Sequence, residues 1–411
     1  MKISINDLLY ALADALDHVE GEILGATVDH SRRVAYLAVK MGKLMGYENK
    51  ELLNLAASAV LHDNALTEYS QSELNKGIDI INDKNAFTLK EHCVMGEENV
   101  RSLPFYKDKE AAQSILYHHE EADGSGPFGL KAENTPMFAQ LIHIADVVDV
   151  IFDISQMNYT KYGKILEFVN AGRDSRFAGD VADAFCAVAT YGELSRMDND
   201  YIDKLLRRAL PVIPVDYTDE DLAGIAAMFA KIIDYKSSFT CAHSLGVANK
   251  AKTLAQYYGL SEETVARIYF AGALHDIGKL TIDNDILEKP AKLTDGEFTQ
   301  MKNHAYGTWE ILGRIKGVGS IRDWAALHHE KLDGSGYPFG IEGRQLNKIE
   351  RMMACVDIYQ ALTEARPYKD GMSHEATMAI MRKEVARGKL DGGIVEDMDR
   401  CLGGDATQKA S

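Results

Sequence analysis

Histidines and aspartates carry the chemistry that this sequence offers. Seven of them fall in the second half of the chain: His243, His275, Asp276, His304, His328, His329 and Asp357. Imidazole and carboxylate donors without cysteine suit iron, manganese, zinc or nickel, and they disfavour calcium or magnesium alone. The pattern therefore predicts a transition-metal centre.

A single histidine on an apolar helix face is more often a hydrogen-bonded core residue than a metal ligand. Seven residues of metal-ligand type in one half of the chain, including two adjacent pairs, are hard to explain as independent core residues. Asp276 also lies in the apolar stretch AGALHDIGKL, where a carboxylate without a partner would be costly. A bound cation would supply that partner.

Seven protein ligands exceed what one ion uses. The two oxygens of Asp276 can bridge two ions, and ions about 3.5–4 Å apart can activate a hydroxide and neutralise a phosphoryl oxygen. We therefore expect a two-metal site equipped for phosphoester hydrolysis.

The same pattern occurs in the first half of the chain. The pairs His30-Ser31 and His62-Asp63 recur 213 residues later, and HHEEADGSGPFG from His118 matches HHEKLDGSGYPFG from His328. Such self-similarity indicates a tandem duplication. The residues of the first copy that match the seven are His30, His62, Asp63, His92, His118, His119 and Asp146.

Helices must position these residues, because apolar residues recur at spacings of three and four in VANKAKTLAQYYGL and TVARIYFAGALHD. Ser261 predicts a helix start, and Gly259 before it predicts the end of the preceding helix. We predict an all-α fold of two tandem helical domains, 1–210 and 216–411. The linker is predicted in LPVIPVDYTDED, which contains Pro211 and Pro214.

Composition limits the partners. A length of 411 residues suffices for two cores. The net charge of -17 opposes binding to polymeric nucleic acid, although metals can reverse the potential locally for a small anion. The N-terminus lacks a signal-peptide pattern and no apolar run approaches the ~20 residues of a membrane span, so we predict a cytoplasmic protein without membrane contact. Five scattered cysteines form no CxxC pair and are expected to be reduced and mostly buried.

The motifs of the second half resemble the HD-GYP domain, a branch of the HD phosphohydrolase superfamily. The matching segments are HSLGVA, HDIGK, KNHAYGTWEIL, HHEKLDGSGYP and DIYQALTEARPYK, which occur in order and cover nearly the whole half. The resemblance implies an all-helical bundle, a di-iron or related centre, and a reaction that opens cyclic dinucleotides. It implies the seven residues above as ligands, with Asp276 as the bridge.

The resemblance also implies residues that handle phosphate. Lys279 lies four residues after His275 and would share a helix face with it, so its ammonium could meet a phosphate held by the metals. The alternative is a solvated surface lysine. Arg366 and Lys369 match the RPYK segment and would hold the far phosphate or a base, and the alternative for them is a helix cap.

Gly334, Gly336, Tyr337 and Pro338 form the segment that names the family, and they predict a tight loop with one exposed aromatic ring. Tyr337 would contact the substrate or serve only as part of a structural turn. Some family members bind a third metal through a glutamate one turn before the first histidine. Phe239 occupies that position here, which favours two metals, iron or manganese before zinc or nickel.

The first copy lacks the phosphate-handling residues. Leu66 stands at the position of Lys279, the loop GSGPFG has no tyrosine, and DVVDVIFDIS has no RPYK segment. We expect this copy to be structural or to act through regulatory contacts. The alternative is a weaker second active site.

The leading functional hypothesis is a metal-dependent phosphodiesterase in which a metal-bridged hydroxide opens a bacterial 3',3'-cyclic dinucleotide to the linear form. Cyclic GMP-AMP is favoured over cyclic di-GMP as the substrate, because tandem HD-GYP proteins with a degenerate first copy resemble enzymes that act on cyclic GMP-AMP. The alternatives are a non-catalytic cyclic-dinucleotide receptor and another nucleotide phosphohydrolase of the HD superfamily. The complete ligand set with Lys279 argues against the first, and the GYP and RPYK segments argue against the second.

Overall fold

The chain forms two compact units in a computed structural model, Ser4–Val215 and Asp216–Ser411. The structure describes residues 27–78, 89–101, 109–211, 218–236, 243–287, 291–365 and 370–403, with isolated positions outside these ranges. Most of the predicted linker, residues 212–217, lies outside the described residues.

Helices and loops make up the described residues, with three isolated bridges and no named strand among them. The predicted all-α fold is confirmed. The helices of the first unit are α1 (His30–Leu44), α2 (Asn49–Val60), α3 (Leu66–Asn75), α4 (Leu89–Val100), α5 (Lys109–Leu116), α6 (Met137–Phe152), α7 (Tyr159–Ala171), α8 (Gly179–Val188), α9 (Tyr191–Leu194) and α10 (Ile202–Ala209).

In the second unit, α12 to α19 follow the order of α1 to α8. Its helices are α11 (Asp219–Lys236), α12 (His243–Tyr257), α13 (Glu262–Leu274), α14 (Asn284–Leu287), α15 (Asp295–Gly313), α16 (Ser320–Ala326), α17 (Lys348–Thr363), α18 (His374–Ala386) and α19 (Gly392–Leu402). None of the helices that the structure describes is both long and apolar enough to cross a membrane.

The two units use the same helix contacts. In the second unit α12 packs against α13 and α17, and α15 packs against α16. In the first unit α1 packs in the same way against α2 and α6, and α4 packs against α5. The duplication seen in the sequence therefore extends to the packing that surrounds each ligand set.

Local sequence signals fix the helix ends near the site. Ser261 caps α13 by accepting a hydrogen bond from the Thr264 N–H, and Gly259 has the positive φ of 65° that suits the end of α12. Thr294 and Asn347 begin α15 and α17 with capping boxes. The predicted start of α13 and end of α12 are confirmed.

The position of the His275-Asp276 pair differs from the helix predicted there. Helix α13 ends at Leu274, and a 3₁₀ helix, Ile277–Thr281, follows the pair. This segment packs so closely on α15 that a Cβ at Gly278 would lie 1.9 Å from the His304 carbonyl oxygen. Glycine thus permits the contact that turns the chain out of the α-helix.

Candidate metal centre

Helix ends and helix interiors bring the seven predicted ligands of the second unit together. His243 is the first residue of α12, His304 lies within α15, and Asp357 lies within α17. The two pairs follow the C-termini of α13 and α16. Placing polar pairs just beyond apolar helices lets the core stay apolar while the side chains face one another.

Six of the seven ligands form two groups, and within each group the donor atoms lie within 4.8 Å of one another. The first group contains His243, His275 and Asp276, and the second group contains His304, His328 and His329. Each group offers three donors, as expected for an ion that keeps a position open for water or substrate.

Asp276 lies between the groups. Its Oδ2 is 3.2 Å from His275 Nε2, and its Oδ1 is 3.3 Å from His304 Nε2. Asp357 has a similar orientation, with Oδ1 3.2 Å from His243 Nε2 and Oδ2 3.8 Å from His329 Nδ1. Both carboxylates therefore present one oxygen to each group.

Backbone carbonyls orient three of the histidines. The Nδ1–H groups of His275, His304 and His328 donate to the carbonyl oxygens of Gly272, Met301 and Ala325, at 2.8, 2.6 and 2.6 Å. With the proton fixed on Nδ1, each Nε2 carries its lone pair towards the centre.

His243 has a carboxylate partner instead. Its Nδ1 lies 2.9 Å from Glu364 Oε2, and its Nε2 faces Asp357. Burial opposes protonation, but these two carboxylates raise the pKa of His243 to about 10. A metal ion must displace that proton, so binding should weaken as pH falls.

Three of the other histidines and Asp276 have the charge states that metal ligands need. Burial lowers the pKa of His329 to about 3 and holds the pKa values of His304 and His328 below their usual range, so these imidazoles are neutral. Burial disfavours ionised Asp276, but His275 and Lys279 hold its pKa well below the usual range. The carboxylate is therefore charged at neutral pH.

Two buried atoms test whether a cation fits. His275 Nε2 and Asp276 Oδ1 have no hydrogen-bond partner among the described residues. Leaving such atoms unsatisfied costs roughly 1–3 kcal/mol each. Both face the ligand cluster, so a metal ion between them would satisfy both.

Lys279 lies against the bridging carboxylate. Its Nζ is 2.6 Å from Asp276 Oδ2, and its side chain is only 19% exposed, which contradicts a solvated surface role. Burial opposes the charge, yet Asp276 raises the pKa of Lys279 above its usual range. Lys279 lies in the 3₁₀ helix rather than one α-helical turn beyond His275, and its ammonium still reaches the cluster.

Tyr337 is half-buried rather than exposed as predicted. Its ring lies 4.6 Å from the His329 ring and 6.2 Å from the His304 ring, between centroids. The ring therefore flanks the second ligand group, and burial raises the pKa of its hydroxyl.

A buried glutamate that the sequence analysis did not single out organises this loop. Glu330 is 1% exposed and accepts hydrogen bonds from the backbone N–H groups of Phe339, Gly340 and Ile341 at 2.8–3.1 Å. A Cβ at Gly336 would lie 2.4 Å from Glu330 Cα. The sequence contains a signal for this glutamate, because the triplet HHE occurs in both copies.

Three predictions fall on residues outside the described part of the chain. These are the phosphate contacts of Arg366 and Lys369 and the absence of a third-metal ligand at Phe239. The roles of Arg366 and Lys369 stay predictions.

The first unit keeps the same ligand geometry. Asp63 Oδ1 lies 3.2 Å from His92 Nε2 and 3.4 Å from His118 Nε2, while Oδ2 is 3.6 Å from His62 Nε2. Asp146 Oδ1 lies 3.2 Å from His30 Nε2. The phosphate-handling position differs, because Leu66, which stands at the position of Lys279, is apolar and fully buried.

Comparison with known proteins accounts for this duplicated arrangement. The profile of the HD domain family matches residues 23–153 and 227–394, one segment in each unit. The chain belongs to the HD domain family. The resemblance found in the sequence is confirmed.

Two curated relatives align with different shares of this chain. The 3'3'-cGAMP-specific phosphodiesterase 1 of Vibrio cholerae is 29% identical over 96% of this chain and 91% of its own length. The cyclic di-GMP phosphodiesterase response regulator RpfG of Xanthomonas campestris is 38% identical over 39% of this chain and 43% of its own length. The crystal structure of a cyclic GMP-AMP specific phosphodiesterase of Vibrio cholerae has the same fold, with a TM-score of 0.64, 23% identity and 98% coverage of both chains.

Proposed function

We propose that the second unit is a metal-dependent phosphodiesterase that opens a 3',3'-cyclic dinucleotide, with cyclic GMP-AMP as the preferred substrate. The carrying observation is the position of Asp276, whose two oxygens face the two histidine groups while Lys279 Nζ lies 2.6 Å away. This juxtaposes a bridging carboxylate and a cation, as a two-metal hydrolase requires.

The seven residues of the cluster would hold two divalent ions, with Asp276 shared between them. Nitrogen and oxygen donors without sulfur favour iron or manganese, and they also accept zinc or nickel. When bound, the ions would lower the pKa of a water molecule and neutralise phosphoryl oxygens. The imidazoles of His275, His304 and His328 donate hydrogen bonds to backbone carbonyls, and these bonds would keep their Nε2 atoms directed at the ions.

The phosphate contacts come from the residues around this cluster. Lys279 would shift its ammonium from Asp276 towards a phosphoryl oxygen once metals neutralise that carboxylate. Tyr337, at the edge of the second group, would border the bound nucleotide. Arg366 and Lys369 would hold the far phosphate or a base.

The first unit is proposed to be non-catalytic. It keeps the seven histidines and aspartates, but Leu66 occupies the position that matches Lys279, and its loop has no tyrosine. Metals there would lack a nearby cation for the phosphate. A structural or regulatory role fits this loss.

The substrate preference rests on extent of similarity. The relative that aligns with nearly the whole duplicated chain is named for 3'3'-cGAMP, whereas the one named for cyclic di-GMP aligns over less than half of it. The metal ligands contact phosphates that both nucleotides share, so the base preference must lie elsewhere in the unit.

The test is incubation of the manganese- or iron-loaded full chain with each cyclic dinucleotide, with products resolved by chromatography. We expect linear dinucleotide, formed faster from cyclic GMP-AMP, and loss of turnover on chelation. Tight binding without any product would instead support a receptor. Elemental analysis of the active protein should find at least two transition-metal ions per chain, and active protein without metal would refute the proposal.

A further inference from the structure

A thiol distinguishes the ligand cluster of the first unit from that of the second. Cys93 follows His92 in α4, whereas Ala305 follows His304 at the matching position of α15. Cys93 is fully buried, and its Sγ lies 3.5 Å from His92 Nε2 and 3.8 Å from His118 Nδ1. The donor atoms of His92, Cys93, His118 and His119 all lie within 4.8 Å of one another.

A second observation points to a ligand at this cluster. Asp63 Oδ1 and His118 Nε2 have no hydrogen-bond partner in the described part of the chain, and both residues are at least nine-tenths buried. The two atoms lie 3.4 Å apart and face the same space. The Nδ1–H of His118 donates to the Ile115 carbonyl at 2.6 Å, which leaves Nε2 with a lone pair directed into the cluster.

We propose that the first unit binds a divalent ion through the Cys93 thiolate together with His92, His118 and His119, and that this site prefers zinc. Imidazole nitrogen and thiolate sulfur are both zinc ligands, and three imidazoles with one thiolate supply the four donors that a closed tetrahedral site requires. Sulfur also shifts preference away from the metals that favour nitrogen and oxygen alone. The two units of one chain would then hold metals of different kinds, whatever reaction the second unit catalyses.

The competing interpretation is a packed core thiol. Buried free cysteines commonly behave as small apolar side chains, and the Cys93 thiol donates to the Leu89 carbonyl at 2.9 Å. Metal binding would remove that proton, because a coordinating thiol is deprotonated. The packing interpretation predicts that alanine, which the second unit carries at this position, changes no metal property.

The experiment uses cobalt(II) as the probe, because a thiolate ligand gives cobalt a sulfur-to-metal charge-transfer band in the near ultraviolet. The full chain with His275→Ala and Asp276→Ala, stripped by a chelator and titrated with cobalt(II), reports on the first unit. We expect the band to appear, and to disappear on addition of zinc, which displaces cobalt.

The decisive variants are Cys93→Ala and Cys93→Ser, with Cys186→Ser of the same unit as the control. We expect the band to be lost in both Cys93 variants and kept in the control, with far-ultraviolet circular dichroism unchanged. A band of equal strength in folded Cys93→Ala, or no band in the parent chain, would overturn the proposal. If Cys93→Ala misfolds, Cys93→Ser decides, because serine keeps the volume and removes the sulfur.

Discussion

At the scale of single residues, two side chains around the ligands separate metal binding from phosphate chemistry. Lys279 contacts the bridging carboxylate of the second unit, and Glu364 contacts the outer nitrogen of His243. Replacing Lys279 should therefore affect turnover, whereas replacing Glu364 should affect metal affinity.

Replacing Lys279 with alanine should slow turnover by ~100-fold or more, the scale seen when one preorganised electrostatic contact is lost. Metal content should stay nearly unchanged, because the seven ligands remain. Both quantities are measured on one preparation. Lys289→Ala, which breaks an ion pair with Glu297 in the same unit, is the control and should keep full activity. Full activity of the Lys279 variant would refute its role, and loss of metal would make it a support of the site.

Replacing Glu364 with alanine should weaken metal affinity of the second unit by ~10–100-fold, the usual effect of removing the outer partner of a histidine ligand. Competition titration with a chromophoric chelator measures this. Glu364→Gln keeps an acceptor for the His243 Nδ1–H and should recover part of the affinity. Unchanged affinity in the alanine variant would show that His243 is held by its helix alone.

At the scale of elements, the loops after the histidine pairs depend on one carboxylate each. Glu330 accepts three backbone N–H groups, and Glu120 accepts those of Phe128 and Leu130 in the first unit. The two loops are thus built alike, and only the second carries the tyrosine beside the ligands.

Glu330→Gln should destabilise the second unit by roughly 1.5–3 kcal/mol, the contribution of a hydrogen bond to a buried charge. It should also reduce activity, because the loop that holds Tyr337 against His329 loosens. Glu120→Gln is the matched control, with a similar loss of thermal stability and little loss of turnover. Equal activity of the two variants would disconnect the loop from catalysis.

The helices and the ligand set could be predicted from sequence because both depend on local pattern and on repetition. The apolar spacing and the Ser261 signal predict α13, and the duplicated HS, HD and HH pairs identify the ligands. What the sequence did not provide depends on tertiary contact. The turn after Leu274 requires the close approach of Gly278 to α15, and the partner of His243 lies 121 residues away in Glu364.

At the scale of the whole molecule, the chain is two similar units with unequal chemistry. Both retain the seven histidine and aspartate ligands in matching geometry, but a cation beside the bridging aspartate is present only in the second among the described residues. The difference between the units should therefore appear in turnover.

The double replacement His275→Ala with Asp276→Ala should abolish turnover, because it removes the bridge and a ligand of the first group. The same replacements at His62 and Asp63 should leave a large share of it. Activity of both variants is compared after circular dichroism has verified folding. Equal loss in both, with folding intact, would show that the first unit is catalytic or essential to assembly.

The first unit should also lose stability in mild acid through His143. Burial lowers the pKa of His143 to about 4, from 6.5, so below pH 6.5 the unfolded chain binds a proton that the folded unit resists. Stability should fall by up to about 3 kcal/mol as pH drops from 6.5 to 4. Urea midpoints at pH 7 and pH 5 measure the fall. His143→Asn keeps a donor for the His118 carbonyl and should reduce it, and an identical fall in both proteins would contradict the assignment.

The tight contact around Gly278 bears on how the two copies could exchange roles in evolution. In the second unit Gly278 lies in the 3₁₀ helix and packs against α15, and the Thr308 hydroxyl of α15 donates a hydrogen bond to the His275 carbonyl. In the first unit Ala65 replaces that glycine, and Asn64 instead lies against Gly96 of α4. A lysine placed at Leu66 would enter a segment whose neighbouring residues, Asn64 and Ala65, also differ from those of the second unit. We therefore expect Leu66→Lys alone to give the first unit no turnover, because the effect of the lysine depends epistatically on these neighbouring residues.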